Sequence, residues 1–420
     1  MALRAALVGI GGYGRTLLEV LATAQAERRC ALTAAVVRTP GRYPESERLL
    51  GELGARAYPT LEELLAAEAG RLELVVVAGG IPCHATASIA ALEAGCHVLC
   101  EKPAAGTLAQ ARRMQQAAER SGLILAVGYQ GMFGPSVGRL KTLCTTGELG
   151  ALTRARALIT APRGARYYRR RDWGGRRGGA AVLDSPIQNA CAHHLQHMLY
   201  VAGAGERRSA TPAAVTAEHY RAARDAWADT QYLRVETREG AVIGMLAAHA
   251  CLESIDLRAE YRFERGSATS AGGRVVIEWA GNREEVADPP DAASLPLRAV
   301  LAGIRSGEPP ACTIGNALQH TACIEAGFAA APPAEVPAGF VLTATPPPSL
   351  PADAAGTVTA IRGIEPTLQA AHAAATGYAG VEAPWALPPG RVSLREDLTA
   401  IRQPQPRADG AAPSSSRSVM

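Results

Sequence analysis

The sequence predicts an α/β Rossmann domain with a doubly wound parallel sheet, followed by an α+β domain with a large open antiparallel sheet. Three observations carry that reading. Residues 1–128 alternate short apolar runs with longer amphipathic ones, the grammar of parallel strands joined by crossover helices. A GxGxxG turn sits between the first strand and the first helix. From residue 129 the pattern changes to a few helices and long alternating strands.

The predicted strands of the first domain are RAALVGI, LTAAVV, LELVVVAG, HVLCE and LILAVGY. Between them lie the helices YGRTLLEVLATAQAE, TLEELLAA, PCHATASIAALEAG and TLAQARRMQQAAERSG. The second and fourth open on threonine and the third on proline, residue types suited to helix starts. Residues 129–345 form the second domain, with DTQYLRVETREGAVIGMLAAHA and SIDLRAEYRFERGSATSAGGRVVIEWAG as antiparallel strands. Residues 346–402, rich in Pro and Ala, are expected as a C-terminal extension packing on the core, with one helix near EPTLQAAHAAATGYAG. Residues 403–420 read as a disordered tail.

Composition narrows the functional classes. The chain of 420 residues is 48% hydrophobic, ample for large cores. Its net charge is +4, and its arginines are spread out apart from RYYRRRDWGGRR (166–177), so no basic nucleic-acid face is expected. The 9 cysteines form no CxxC pair and read as reduced thiols of a cytoplasmic protein. No apolar run approaches the ~20 residues a membrane span needs. No cluster of His, Cys and carboxylates has metal-ligand spacing, so no metal is expected. Of 43 lysines and arginines only Lys102 and Lys141 are lysine.

In LVGIGGYGRTLLEVL, Gly9 makes the turn, Gly11 lets the backbone approach a pyrophosphate, and Gly14 lets helix and strand pack closely, with Gly12 and Tyr13 completing the loop. The helix N-terminus then offers amides and a positive dipole end to the phosphates. At the end of the second strand an acid would hold the ribose 2′-hydroxyl of NAD; here Arg38 and Thr39 stand instead, which favours NADP over NAD. The other reading of Arg38 is a solvated loop arginine. Lys102 closes HVLCE, where ligands of open parallel sheets bind. An ammonium beside an oxidised nicotinamide is disfavoured, so Lys102 could exchange a proton with a substrate hydroxyl; alternatively it only pairs with Glu101.

These residues resemble the Gfo/Idh/MocA oxidoreductases, which include glucose-fructose oxidoreductase and inositol dehydrogenase. The resemblance rests on GIGGYG, AALEAGCHVLCEKP, AVGYQGMF and WGGRRGGAAVLDSPIQNACAHHLQHMLYVAG, covering the first 205 residues well and the rest loosely. It implies a Rossmann domain, an open antiparallel sheet that backs the site and often builds homodimers or homotetramers, and contact of Lys102 with substrate near the nicotinamide. Relatives commonly carry a cis bond at the position of Lys102-Pro103. The activity it implies is NAD(P)-dependent hydride transfer at a carbinol carbon of a sugar, polyol or cyclic alcohol. A redox-assisted glycoside hydrolase and a catalytically inactive dinucleotide-binding sensor are the alternatives.

The chain departs from the family at one place. The usual aspartate is followed four residues later by an acid/base histidine, whereas Asp184 is followed there by Gln188, which cannot shuttle a proton. Asn189 and His193 would share one helical face four residues apart. Either His193 takes the proton from one turn further on, with His194 and His197 as nearby alternatives and a satisfied core histidine as the competing reading on this apolar helix, or Lys102 works without it. His84 is expected either to flank the nicotinamide or to cap the next helix. Tyr129 and Gln130 should face the cleft, and Tyr167, Tyr168, Arg169 and Trp173 form a loop with the chemistry to stack on and bind a sugar.

Overall fold

The computed structural model describes residues 2–169, 177–178, 182–345, 357–395 and 401–402. Its first domain runs β1 (Leu3–Val8), α1 (Tyr13–Ala26), β2 (Cys30–Val36), α2 (Pro44–Glu52), β3 (Arg56–Tyr58), α3 (Leu61–Ala67), β4 (Leu74–Val77), α4 (Ile81–Glu93), β5 (His97–Cys100), α5 (Leu108–Ser121) and β6 (Leu125–Val127). The sheet order is β3-β2-β1-β4-β5-β6, with every pairing parallel. β1, β4, β5 and β6 are buried at nearly every position, as strands covered on both faces must be. The helix starts obey their local chemistry: Thr60 Oγ1 accepts from the Glu63 amide at 3.1 Å and Thr107 Oγ1 from that of Gln110 at 3.2 Å, while proline opens α4.

Two elements escape the sequence pattern. α2, PESERLLGE, buries only Ser46 and Leu50, and β3 is three residues long with two of them exposed, so neither shows a clear apolar period. The predicted five strands become six because β3 extends the sheet beyond β2.

The second domain begins with α6 (Pro135–Thr145) and β7 (Leu152–Thr160) and continues through α7 (Ala165–Arg169), the short pair β8 (Arg177–Gly178) and β9 (Val182–Leu183), and α8 (Ala192–Ala202). Strands β10 (Pro212–Arg221), β11 (Thr230–Thr237), β12 (Val242–Ala248), β13 (Ile255–Phe263), β14 (Gly266–Ala271), β15 (Arg274–Trp279) and β16 (Asn282–Ala287) follow, then α9 (Leu295–Ser306), α10 (Ile314–Ala330) and β17 (Ala334–Glu335). They build an eleven-stranded sheet of order β16-β15-β14-β13-β7-β12-β11-β10, which β20 (Gly390–Leu394) and β21 (Ile401–Arg402) extend, while β18 (Val341–Ala344) and β19 (Val358–Ile361) form a separate antiparallel pair. The sheet is mainly antiparallel, but β7 pairs parallel with β12 and β17 parallel with β10. β7 arrives from the Rossmann domain and leaves through the long α7–α8 segment, so no hairpin forces it antiparallel to β12.

One buried apolar cluster runs from Val75 and Val98 of the first sheet through Tyr129 and Leu195 to Val235 and Ile243 of the second. α8 and α10 lie in this shared layer, between the domains. On the other face of the large sheet Leu158, Tyr232 and Leu246 are covered by Ile364 and Leu368 of α11 (Ile364–Ala373), with Tyr378 and Trp385. Among the described residues no helix is long and apolar enough to cross a membrane.

Lys141, on α6, is 2% exposed, yet its ammonium donates to three carbonyls: those of Tyr200 and Gly203 at 2.6 Å and Arg208 at 2.9 Å. These oxygens terminate α8 and begin the turn after it. Three donors radiating from one atom satisfy three converging acceptors, which a planar guanidinium cannot do. Lys141→Met should therefore strand three buried carbonyls and lower stability by about 3 kcal/mol in urea unfolding, and Lys141→Arg should not restore it. An unchanged midpoint would show that water satisfies those oxygens.

Candidate active site

The glycine turn fixes the first wall. Gly9 has φ +96 and a Cβ there would meet the Gly79 amide at 2.9 Å; Gly12, the cap of α1, has φ +58. A Cβ on Gly14 would run into the Gly9 carbonyl, so that glycine is demanded by packing of helix on turn. At Gly11 a Cβ would meet only the ring of Tyr43, itself 37% exposed. The backbone at Gly11 is thus bare on its outer side, while the Gly14 and Arg15 amides close the turn on the Gly11 and Gly12 carbonyls at 3.1 and 3.0 Å. Such a cradle fits a dinucleotide pyrophosphate. Beyond β2, Arg38 and Thr39 are exposed, and Arg38 has no ion pair among the described residues. Glu47, in the first turn of α2, accepts from the Gly41 and Tyr43 amides at 2.9 and 3.3 Å and so holds the loop itself.

The second wall is the segment after β5. Glu101 is buried against Gly128, where a Cβ would lie 2.6 Å from its Oε1, and burial pushes its carboxyl up to about 7. It accepts the Lys102 backbone amide at 3.2 Å, but the Lys102 ammonium turns away and donates to the Asn189 carbonyl at 2.8 Å. Lys102 is therefore directed into the cleft and not spent on Glu101. Burial lowers its pKa, against the pull of Glu101. The Lys102-Pro103 bond is cis.

His84 is not where it could flank a nicotinamide with a free ring nitrogen. It is buried in the first turn of α4, with Nδ1 2.8 Å from the Pro103 carbonyl and Nε2 3.1 Å from that of Gly79. It ties the EKP turn to the end of β4, a positioning task.

The third wall comes from the second domain. Asp184 is buried and its Oδ1 accepts from Asn189 Nδ2 at 3.1 Å, which sets the carbonyl that receives Lys102. Gln188 is 1% exposed, and neither polar atom of its amide has a partner among the described residues. His193, in the first turn of α8, meets Tyr129 edge-on at 5.8 Å and lies 6.0 Å from His197. Burial, then the charge of Lys102, drives its pKa well below the ordinary value, so it is neutral through physiological pH. His194 and His320 are pushed down to about 4 and His197 to about 3 by the same burial. Tyr129 lies between His193 and His320, 5.6 Å from the latter, with its hydroxyl buried and unpartnered among the described residues. The Gln130 amide donates to the Tyr13 hydroxyl, joining the glycine turn to the end of β6.

The expected stacking loop does not form as read. Tyr168 is 4% exposed and packs with Tyr167, Ala223 and Ala226, so it offers no open face to a substrate. Arg169 pairs with Asp225 at 2.6 Å. Trp173 lies outside the described residues. Two residues the sequence reading passed over do belong to the cleft: His320 from α10, and Arg163 just after β7, whose charge contributes to lowering the Lys102 pKa. Neither stands in a motif; only the tertiary fold brings them to Lys102.

The fold and this cleft define a two-domain dinucleotide-binding protein of the Rossmann class. Residues 3–129 match the family described as oxidoreductase family, NAD-binding Rossmann fold, GFO_IDH_MocA. Over these residues the chain resembles the Gfo/Idh/MocA oxidoreductases. It is 34% identical over 125 residues to D-glucoside 3-dehydrogenase of Escherichia coli (strain K12), which spans 29% of this chain and 33% of that protein. It is 28% identical over 271 residues to inositol 2-dehydrogenase 2 of Saccharopolyspora erythraea, spanning 64% of this chain and 73% of that one. Among solved structures it resembles aldose-aldose oxidoreductase from Caulobacter crescentus, with a TM-score of 0.65 at 21% identity over 78% of this chain and 97% of the other. UDP-N-acetylglucosamine 3-dehydrogenase from Acidithiobacillus ferrooxidans gives 0.63 at 20% identity over 78% and 97%. The last two establish likeness of fold.

Gly11→Val should displace only the mobile end of Tyr43 and fill the cradle, leaving native circular dichroism while titration with NADH or NADPH fails. Gly14→Val meets backbone instead and should lower the melting temperature itself. If Gly11→Val still binds dinucleotide, the turn is merely structural.

Proposed function

We propose that the chain is an NAD(P)-dependent oxidoreductase that moves a hydride between the nicotinamide and a carbinol carbon of a sugar, polyol or cyclic alcohol. The observation that carries this reading is the Lys102 ammonium, depressed in pKa by burial and held in the cleft by the Asn189 carbonyl, with neutral His193 on the neighbouring turn of α8. The names of the relatives, a glucoside and an inositol dehydrogenase, support the substrate class.

The bound dinucleotide supplies the hydride acceptor or donor. The protein's task is the proton that leaves the hydroxyl during oxidation. Lys102 can take or return it because its pKa is displaced toward neutrality, and His193, uncharged, can receive it in turn. Asp184 acts through Asn189 and does not reach the proton: its Oδ1 holds the Asn189 amide, and the Asn189 carbonyl holds Lys102. Gln188 and Asn189 offer amides to substrate hydroxyls, and Tyr129 a hydroxyl. Arg38, without an ion pair among the described residues, suits a 2′-phosphate, so NADP is the cofactor we favour.

A panel of sugars and polyols read by nicotinamide absorbance with both cofactors tests the assignment. Lys102→Arg keeps a positive charge that cannot be given up near neutral pH, and should cost ~100- to 10,000-fold in turnover with little change in cofactor affinity. Near wild-type turnover would remove Lys102 from the chemistry. In the wild type, alcohol oxidation should rise with pH as Lys102 loses its proton, with the midpoint below the ~10.4 of a free lysine; in Lys102→Arg that limb should vanish. NADPH should bind more tightly than NADH, and Arg38→Ala should erase the difference; equal affinities in the wild type would refute the NADP preference.

A further inference from the structure

Arg163 follows β7, its backbone amide bonded to the His249 carbonyl at 3.3 Å and its guanidinium 4.8 Å above the Tyr167 ring. It is half-buried and its Nε is fully buried without a hydrogen-bond acceptor. No carboxylate among the described residues lies within ion-pairing distance of it. Other part-buried arginines are spent: Arg156 on Glu260 and the His372 and Ala373 carbonyls, Arg139 on Glu284, Arg234 on Glu236. The acids nearest Lys102 are committed too, Asp184 to the Asn189 amide and Glu101 to the Lys102 backbone on the Gly128 side. Arg163 thus has no ion-pair partner among the described residues, and its charge acts on Lys102 against the pull of Glu101 and Asp184. Donors left unpaired in a partly dehydrated site are costly unless a ligand completes them.

We infer that the substrate of this cleft carries an oxyanion, a carboxylate or a phosphate, bound by Arg163 beside Lys102. The inference rests on reading the cleft as the hydride-transfer site and narrows its substrates from neutral sugars to acidic or phosphorylated ones. A guanidinium presents paired N–H donors that match the two oxygens of either group. The Tyr167 face fixes the plane of the fork, so the substrate would be held at a set distance from Lys102, where its hydroxyl must lose a proton.

Full-length protein saturated with NADH, which binds an alcohol without reacting, is titrated calorimetrically with D-glucuronate against D-glucose, D-gluconate against D-sorbitol, and D-glucose 6-phosphate against D-glucose. At least one acid should bind roughly 10- to 100-fold more tightly than its neutral parent, the advantage expected of a charge-assisted bond. The carboxylate and phosphate arms tell which oxyanion is preferred. Arg163→Gln should abolish the advantage while thermal melting stays native, and Arg163→Lys should keep part of it. The inference fails if no acid exceeds its neutral parent, or if the advantage survives Arg163→Gln. Hydride transfer from the same compounds to NADP and NAD is measured separately: acid preference without turnover would retain the oxyanion site and reject the oxidoreductase reading, while turnover of neutral sugars without acid preference would do the reverse.

Discussion

The hydrogen bond from the Lys102 ammonium to the Asn189 carbonyl is the contact on which the cleft depends, because it joins the end of β5 to a turn 87 residues later in the second domain. The carbonyl belongs to the turn that leads into α8, so the bond sets where that helix starts and therefore where His193 stands. The far end of α8 is fixed by Lys141, whose ammonium gathers the Tyr200, Gly203 and Arg208 carbonyls. The only two lysines in a chain otherwise supplied with arginine hold the two ends of one helix. At 141 three converging carbonyls call for a compact cation with radiating donors, which a flat, five-pronged guanidinium does not offer.

That helix lies in the layer shared by both domains, and burial there governs its electrostatics. Three histidines, His193, His194 and His320, lie in the field of Lys102, and these and His197 are held in the neutral form by desolvation. Neutral rings can accept protons, and they add no positive charge to a cleft that already holds Lys102 and Arg163. The same burial raises the Glu101 carboxyl to about 7, which weakens the acid whose charge acts most strongly on the lysine. The low dielectric of the shared core therefore keeps the site cationic and its proton carriers sparsely charged.

Much of this was legible in the sequence where function imposes a local pattern. The GxGxxG turn specifies its own backbone: Gly9 and Gly12 take positive φ and Gly14 has no room for a side chain. Threonine and proline mark real helix starts at α3, α4 and α5. What escaped lacks a local signature. α2 and β3 bury too little to show a period, and the parallel entry of β7 beside β12 is a property of topology. Tyr168 reads as an exposed aromatic only because nothing nearby in sequence announces Ala223 and Ala226, which cover it. His84 looks like a cleft residue until the carbonyls of Gly79 and Pro103 are seen to occupy both its nitrogens.

The glutamine at 188 is the departure that seemed most damaging to catalysis, and the surroundings change its meaning. Gln188 is 1% exposed, as buried as His320, and follows the Ile187 carbonyl to which that ring is bonded. A histidine there would meet the desolvation that already holds four rings neutral, and with Lys102 and Arg163 nearby its protonated form would be disfavoured further. Such a ring could accept a proton only against the field of two cations. An amide carries hydrogen-bonding capacity of both signs without entering that titration at all. Under the proposed reading, proton traffic then falls first to Lys102, the group whose pKa burial moves toward neutrality, and the amide at 188 adds no further cation to the site.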